Sequence, residues 1–236
     1  MRTEFSECVK HSCHTFVKVC GVTRPEDVSL LLDLGVDRLG LVFYPESPRY
    51  VTQELAYKLV HVANKKRLFV MVTVDMPLKR LLDIYDSIQD YTARIQLHGH
   101  ESCDYLQQLR SALDQRVNMR PEIVRRVTTS QERDDYLSFA DKLLWEPRGR
   151  APGGNGVLSS LQDQREFQPA ERFIIAGGIT ADNVIDVLTH TRVGEIDVCS
   201  GTESRPGIKS EKKIRALMQN VRQYDQIIFR RTHTIF

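Results

Sequence analysis

The chain has 236 residues, 41% hydrophobic and 27% charged, with a formal net charge of +2. That balance suits a globular domain able to bury a sizeable core and gives no electrostatic footing for nucleic acid or an anionic membrane surface. No apolar run nears the roughly 18 residues of a membrane span, the N-terminus lacks a signal-peptide core, and five cysteines without a paired rhythm point to reduced thiols and a cytoplasmic address.

Residues 1–15 read as a leader outside the fold. Cys8, His11, Cys13 and His14 lie close together there. Their spacing matches no common zinc finger, and plain surface residues explain them as well, so no metal is assigned.

From Phe16 the chain alternates. Residues 16–20 form an apolar strand with β-branched Val17 and Val19, ending on Cys20 and turning at Gly21. Pro25 suits the first turn of a helix over 25–34, closed by Gly35. A strand over 38–43 precedes a helix over 53–63, with Thr52 as N-cap and Glu54 at its positive end. Then follow a strand (68–74), a helix (77–88), a strand (93–97), a helix (101–113), a strand (123–127) and a short helix near 131–139. A strand over 142–146 leads through a Gly-rich loop to a short helix near 157–162. The last units are a strand (172–176), a helix (181–189) capped by Thr180, a strand (195–199) and a helix (209–224).

Eight apolar strands, each followed by a helix, predict an α/β fold with a closed parallel sheet, a single (β/α)8 TIM barrel over 16–224. Residues 225–236 extend beyond the last helix as a C-terminal extension. No GxGxxG follows the first strand, so no dinucleotide fingerprint is present.

In such a barrel the chemistry sits where strands end and lead into helices. There this sequence puts Cys20, the run Tyr44–Arg49, Asp75, His98, Glu146, Arg148 and the glycines 153, 154 and 156. Gly177, Gly178, Ser200, Gly201 and Glu203 complete the rim. A thiol, a histidine, carboxylates and an arginine thus share one end. Cys20 taken alone is equally well a small buried hydrophobe. The glycine pairs ending strands 7 and 8, with Gly154 and Gly156 before the sixth helix, offer bare backbone N–H groups for a phosphate.

The sequence resembles the phosphoribosylanthranilate isomerase family. The resemblance rests on Lys18-Val-Cys-Gly-Val-Thr, Gly40-Leu-Val-Phe-Tyr-Pro-Glu-Ser-Pro-Arg-Tyr-Val, Ile95-Gln-Leu-His-Gly, Ala176-Gly-Gly-Ile-Thr-Ala-Asp-Asn-Val and Ile196-Asp-Val-Cys-Ser-Gly-Thr-Glu-Ser-Arg-Pro-Gly-Ile-Lys, in order. It implies an Amadori rearrangement of N-(5-phosphoribosyl)anthranilate in tryptophan biosynthesis, without cofactor or metal, on a small phosphosugar, by a monomer or homodimer. It implies Cys20 as the base that takes the C2 proton. The family's acid, an aspartate ending strand 6, falls ungapped on Glu146, and a shift of one would bring Trp145 instead. Alternation sends those two to opposite faces, and Glu146 is favoured. To stay protonated its carboxyl would have to be raised by burial. Arg49 and His98 are implied to bind substrate, Arg49 through the anthranilate carboxylate. Gly154, Gly156, Gly177, Gly178, Ser200 and Gly201 are implied to bind the phosphate. The glutamate at the acid position and the run Gly153-Gly-Asn-Gly-Val-Leu-Ser-Ser depart from the family pattern. They leave room for a related phosphosugar isomerase or a non-catalytic phosphosugar-binding relative.

Overall fold

The computed structural model describes residues 14–116, 120–146 and 167–233. Eight parallel strands hydrogen-bond in sequence order, and β8 returns to β1 to close the barrel. The strands are β1 (Phe16–Cys20), β2 (Arg38–Val42), β3 (Phe69–Thr73), β4 (Thr92–Leu97), β5 (Glu122–Val127), β6 (Lys142–Trp145), β7 (Phe173–Ala176) and β8 (Glu195–Val198). The described helices are α1 (Pro25–Asp33), α2 (Gln53–Ala63), α3 (Leu78–Ile88), α4 (Cys103–Asp114), α5 (Ser130–Tyr136), α6 (Val184–Thr191) and α7 (Glu211–His233). The helix expected near 157–162 lies outside the described residues.

Strand alternation divides the core in two. One face, with Val17 and Val19 of β1 and Leu39 and Leu41 of β2, packs against Leu31, Leu59 and Leu81 of the helices. The other face fills the barrel with small apolar clusters, Val124, Leu144, Ile174 and Ala176 on one side and Cys20, Val70 and Val72 on the other. Charges line the interior as well. At the N-terminal end Arg94 pairs with Glu122 and Glu195, and Lys142 reaches Glu195 at 3.1 Å. Inside a barrel such charges persist only as hydrogen-bonded pairs.

Several local expectations change. α6 begins at Val184 rather than 181, because Asn183 accepts from Thr180 N at 2.8 Å and donates to Gly178 O at 3.0 Å, which holds the preceding residues in a loop. Thr180 is therefore not its cap. Thr52 does cap α2, accepting from Leu55 N at 3.2 Å. Ser102 caps α4, leaving Glu101 ahead of the helix and buried against Arg125. After β8 the chain makes a small hairpin, β9 (Glu203–Arg205) with β10 (Ile208–Lys209), which the sequence pattern did not announce.

Both ends join the barrel. Thr15, placed above in the leader, is buried and donates to Asp225 through its backbone N at 3.0 Å and its Oγ1 at 2.6 Å. His14 Nε2 lies 2.9 Å from Asp37. Asp225 itself, placed above in the extension, is one turn of α7, which runs on to His233. The apolar seam Ile214, Leu217, Met218 and Val221 seats that helix. The other three residues of the N-terminal Cys/His group lie outside the described residues.

Candidate active site

The C-terminal end of β1 brings Lys18 and Cys20 to the interior face, two residues apart. Gly21 turns the chain with φ 75°, and the N–H groups of Gly21 and Val22 both donate to Gly40 O at 3.0 Å. β2 faces the sulfur with that same Gly40. A Cβ there would stand 2.8 Å from Cys20 Sγ, so the missing side chain makes room for the thiol. Cys199, one register step beyond the Val19–Val198 pair, packs beside Cys20. Lys209 Nζ donates to Cys20 O at 2.5 Å. The neighbouring Cys199 thiol, with the ammonium groups of Lys18 and Lys209, outweighs burial and holds the Cys20 thiol well below its usual range. Cys199 moves the opposite way and stays a thiol, since it stands beside a thiolate and is itself buried.

Across β7 and β8, Glu146 follows β6. Its backbone N donates to Val127 O at 3.0 Å, continuing the strand pattern by one residue. Trp145 turns outward, buried against Phe167 with ring centroids 5.6 Å apart. Glu146 turns to the mouth, where Arg126 Nε donates to its Oε2 at 2.7 Å and His98 Nε2 stands 3.2 Å away. Burial pushes its carboxyl up, but the contacts with His98 and Arg126 outweigh this and bring it down to about 2. The expected raised carboxyl is therefore reversed: in this arrangement Glu146 is a carboxylate. His98 also meets Gln96 Nε2 through Nδ1 at 3.4 Å.

Arg49 crosses over Gly21, where a Cβ would stand 2.4 Å from its Cδ. It reaches Glu203 in a two-pronged bond, Nε to Oε1 at 2.9 Å and Nη2 to Oε2 at 2.6 Å. An internal carboxylate thus already takes the edge expected for a substrate carboxylate. Glu203 is also bound by Lys209 Nζ at 3.0 Å and by Gly207 N at 3.1 Å.

Gly177 and Gly178 take φ of 89° and 67°, which a side chain would strain. Ser200 and Gly201 open a single helical turn, Ser200–Thr202. A Cβ on Gly201 would stand 2.0 Å from Ile179 O, so the loops after β7 and β8 touch backbone to backbone. Gly154 and Gly156 lie outside the described residues.

The sequence profile of the N-(5′-phosphoribosyl)anthranilate (PRA) isomerase family matches residues 17–220. The chain belongs to the phosphoribosylanthranilate isomerase family. An N-(5′-phosphoribosyl)anthranilate isomerase of Agrobacterium fabrum is 31% identical over 214 residues, 89% of this chain and 96% of the relative. The crystal structure of the phosphoribosyl anthranilate isomerase of Thermotoga maritima is 27% identical, with a TM-score of 0.72 over 89% of this chain and 99% of that one. A phosphoribosyl anthranilate isomerase in complex with reduced 1-(o-carboxyphenylamino)-1-deoxyribulose 5-phosphate is 25% identical, with a TM-score of 0.70 over 89% of this chain and 99% of that one.

Against this isomerase frame, the residues that motif reading passed over stand out. Arg126 bonds to Glu146, Lys209 to the Cys20 carbonyl, and Asp197 to Lys18 on the Cys20 face, while Cys199 packs beside Cys20 and Glu203, named above only as part of the rim, grips Arg49. Parity was the available signal. Lys18 shares the face of Cys20, and Asp197 shares the face of Cys199.

Proposed function

We propose that the chain catalyses the rearrangement of N-(5-phosphoribosyl)anthranilate to 1-(2-carboxyphenylamino)-1-deoxyribulose 5-phosphate, with Cys20 as the base and the Glu146–His98 group as the source of the ring-opening proton. The observation that carries this reading is the placement of a poised thiolate and a carboxylate–imidazole pair on two sides of one barrel mouth, with the two glycine loops after β7 and β8 between them. A proton delivered to the furanose ring oxygen opens the ring to an iminium. The Cys20 thiolate then removes the C2 proton to give the enolamine, which tautomerises to the ketone. The phosphate would rest on the backbone of Gly177, Gly178, Ser200 and Gly201, extended by Gly154 and Gly156. The Nη1 side of Arg49 would meet the anthranilate carboxylate while Glu203 steadies the other edge. The reaction would run in the cytoplasm, where Cys20 and Cys199 stay reduced and unpaired by a disulfide.

One observation favours a second assignment of the acid. A carboxyl held at about 2 carries no proton near neutrality, whereas the imidazole 3.2 Å away has N–H donors that the carboxylate can orient toward the sugar. In that version His98 donates and Glu146 holds it.

The test is turnover of enzymatically generated substrate, followed by loss of its fluorescence. Wild type is expected to consume it, and Cys20→Ala to lose about a thousandfold or more in kcat. A wild-type protein that binds a product analogue without turnover would instead make it a phosphosugar-binding relative.

A further inference from the structure

Lys18 lies at the centre of the barrel with 1% of its surface exposed. Withdrawing an ammonium from water costs several kcal/mol, recovered only through well-placed partners. Asp197 supplies one, at 2.5 Å from Nζ, joined across the register pair of β1 and β8. The second group it serves is Cys20, two residues further along the same interior face, whose charge the same ammonium stabilises. Two acidic groups therefore share one buried cation.

Among the described residues, the remaining groups around the sulfur are few. Cys199 comes from the end of β8, Lys209 from β10 and Arg49 from the loop after β2. Lys209 and Arg49 are already joined to Glu203, and Lys209 addresses the Cys20 carbonyl. β2 and β3 contribute only Gly40, Val42, Val70 and Val72. Among the described cations, Lys18 shares the interior strand face of Cys20, and its place is fixed by Asp197.

We propose that Lys18 is a positioning residue: its ammonium, anchored by Asp197, holds the Cys20 sulfur as a thiolate at the mouth before substrate arrives. This rests on the reading of Cys20 as the base. The sharing has a signature in Asp197, whose carboxyl is pushed up to about 6 by burial, with the nearby Cys20 charge adding to the rise against the pull of Lys18. Removing the cation and removing its Asp197 partner should therefore move Cys20 in opposite directions. Loss of Lys18 strips the thiolate of its cation. Loss of the Asp197 charge leaves the cation to the thiolate alone.

The experiment measures alkylation of Cys20 by iodoacetamide against pH, read on the Cys20 peptide by mass spectrometry, beside the pH profile of kcat. Lys18→Met is expected to slow alkylation at pH 6.5 at least tenfold and to move the midpoint up toward the ordinary thiol value of about 8.5. Lys18→Arg is expected to keep most of the wild-type midpoint, and Asp197→Asn to move it down. The acid limb of kcat should follow the same order. An unmoved midpoint in Lys18→Met, or shifts of the same sign in Lys18→Met and Asp197→Asn, overturns the proposal. Should Lys18→Met not fold, Asp197→Asn is compared with Lys18→Met/Asp197→Asn, which strands no buried charge. The double variant must then titrate higher, and equal midpoints overturn the proposal. Alkylation needs no turnover, so an active Cys20→Ala variant would remove the base assignment as a separate result.

Discussion

On the β1–β8 wall of the mouth, two ammonium groups and a thiol surround Cys20. On the β4–β6 wall, an imidazole and a guanidinium surround Glu146. Both walls stabilise an anion by the same means, positive charge against burial. The consequences differ because the proposed chemistry, with Cys20 as base and the Glu146–His98 group as acid, asks opposite things of them. A base is useful ionised, so the first wall is ready in the free protein. An acid is useful protonated, so the second wall must either change when substrate enters or pass the role to His98. The free protein is thus half prepared for its reaction.

That asymmetry can be broken at its strongest point first. Cys20→Ala is expected to remove about a thousandfold or more of kcat with little change in affinity for a product analogue, and an active variant would dissolve the comparison. On the other wall, Glu146→Gln and His98→Asn are compared directly. If the carboxyl donates the proton itself, Glu146→Gln loses about a hundredfold or more and His98→Asn far less. If the imidazole donates, His98→Asn falls at least as far as Glu146→Gln.

Gly40→Ala touches only the first wall. Its new methyl would stand 2.8 Å from Cys20 Sγ, and a shifted sulfur is expected to lower kcat about ten- to a hundredfold with product-analogue binding unchanged. A smaller effect belongs to acid stability. The Glu146 carboxyl is held below its ordinary value near 4.3, so its contribution is present above that value and is lost as pH falls toward about 2. The stability gap between wild type and Glu146→Gln, measured by chemical denaturation, should therefore narrow steadily below pH 4. The smallest effect is expected of Trp145→Phe, which sits in the outer shell with its Nε1 unbonded among the described residues. It should cost about 1–2 kcal/mol of stability and change kcat by less than about twofold. A collapse of activity there would put the strand in the wrong register.

Much of this was legible before the fold was in hand. The eight-strand order followed from alternating apolar runs and helical stripes, while strand parity set Glu146 and Trp145 on opposite faces and the ungapped family resemblance chose Glu146. The charge state of Glu146 was not legible, because it depends on His98 and Arg126, which arrive from other strands. The grip of Glu203 on Arg49 was hidden for the same reason, in a hairpin too short to leave a periodic pattern. The sequence also gives no cue that Thr15 and Asp225 meet, since their bond joins the two ends of the chain. In each case the missing information was a partner distant along the chain, which local pattern cannot supply.

The pairing of β1 with β8 has a consequence in time. Lys18 and Asp197 are 179 positions apart, and their contact forms only when the first and last strands meet. Contacts of such long range carry the largest chain-closure cost and form late where topology governs the rate. If Lys18 anchored by Asp197 holds the thiolate as proposed, Cys20 behaves as an ordinary thiol until the ring seals. The appearance of the thiolate, seen as rising ultraviolet absorbance during refolding at neutral pH, would then act as a clock for the moment the barrel closes.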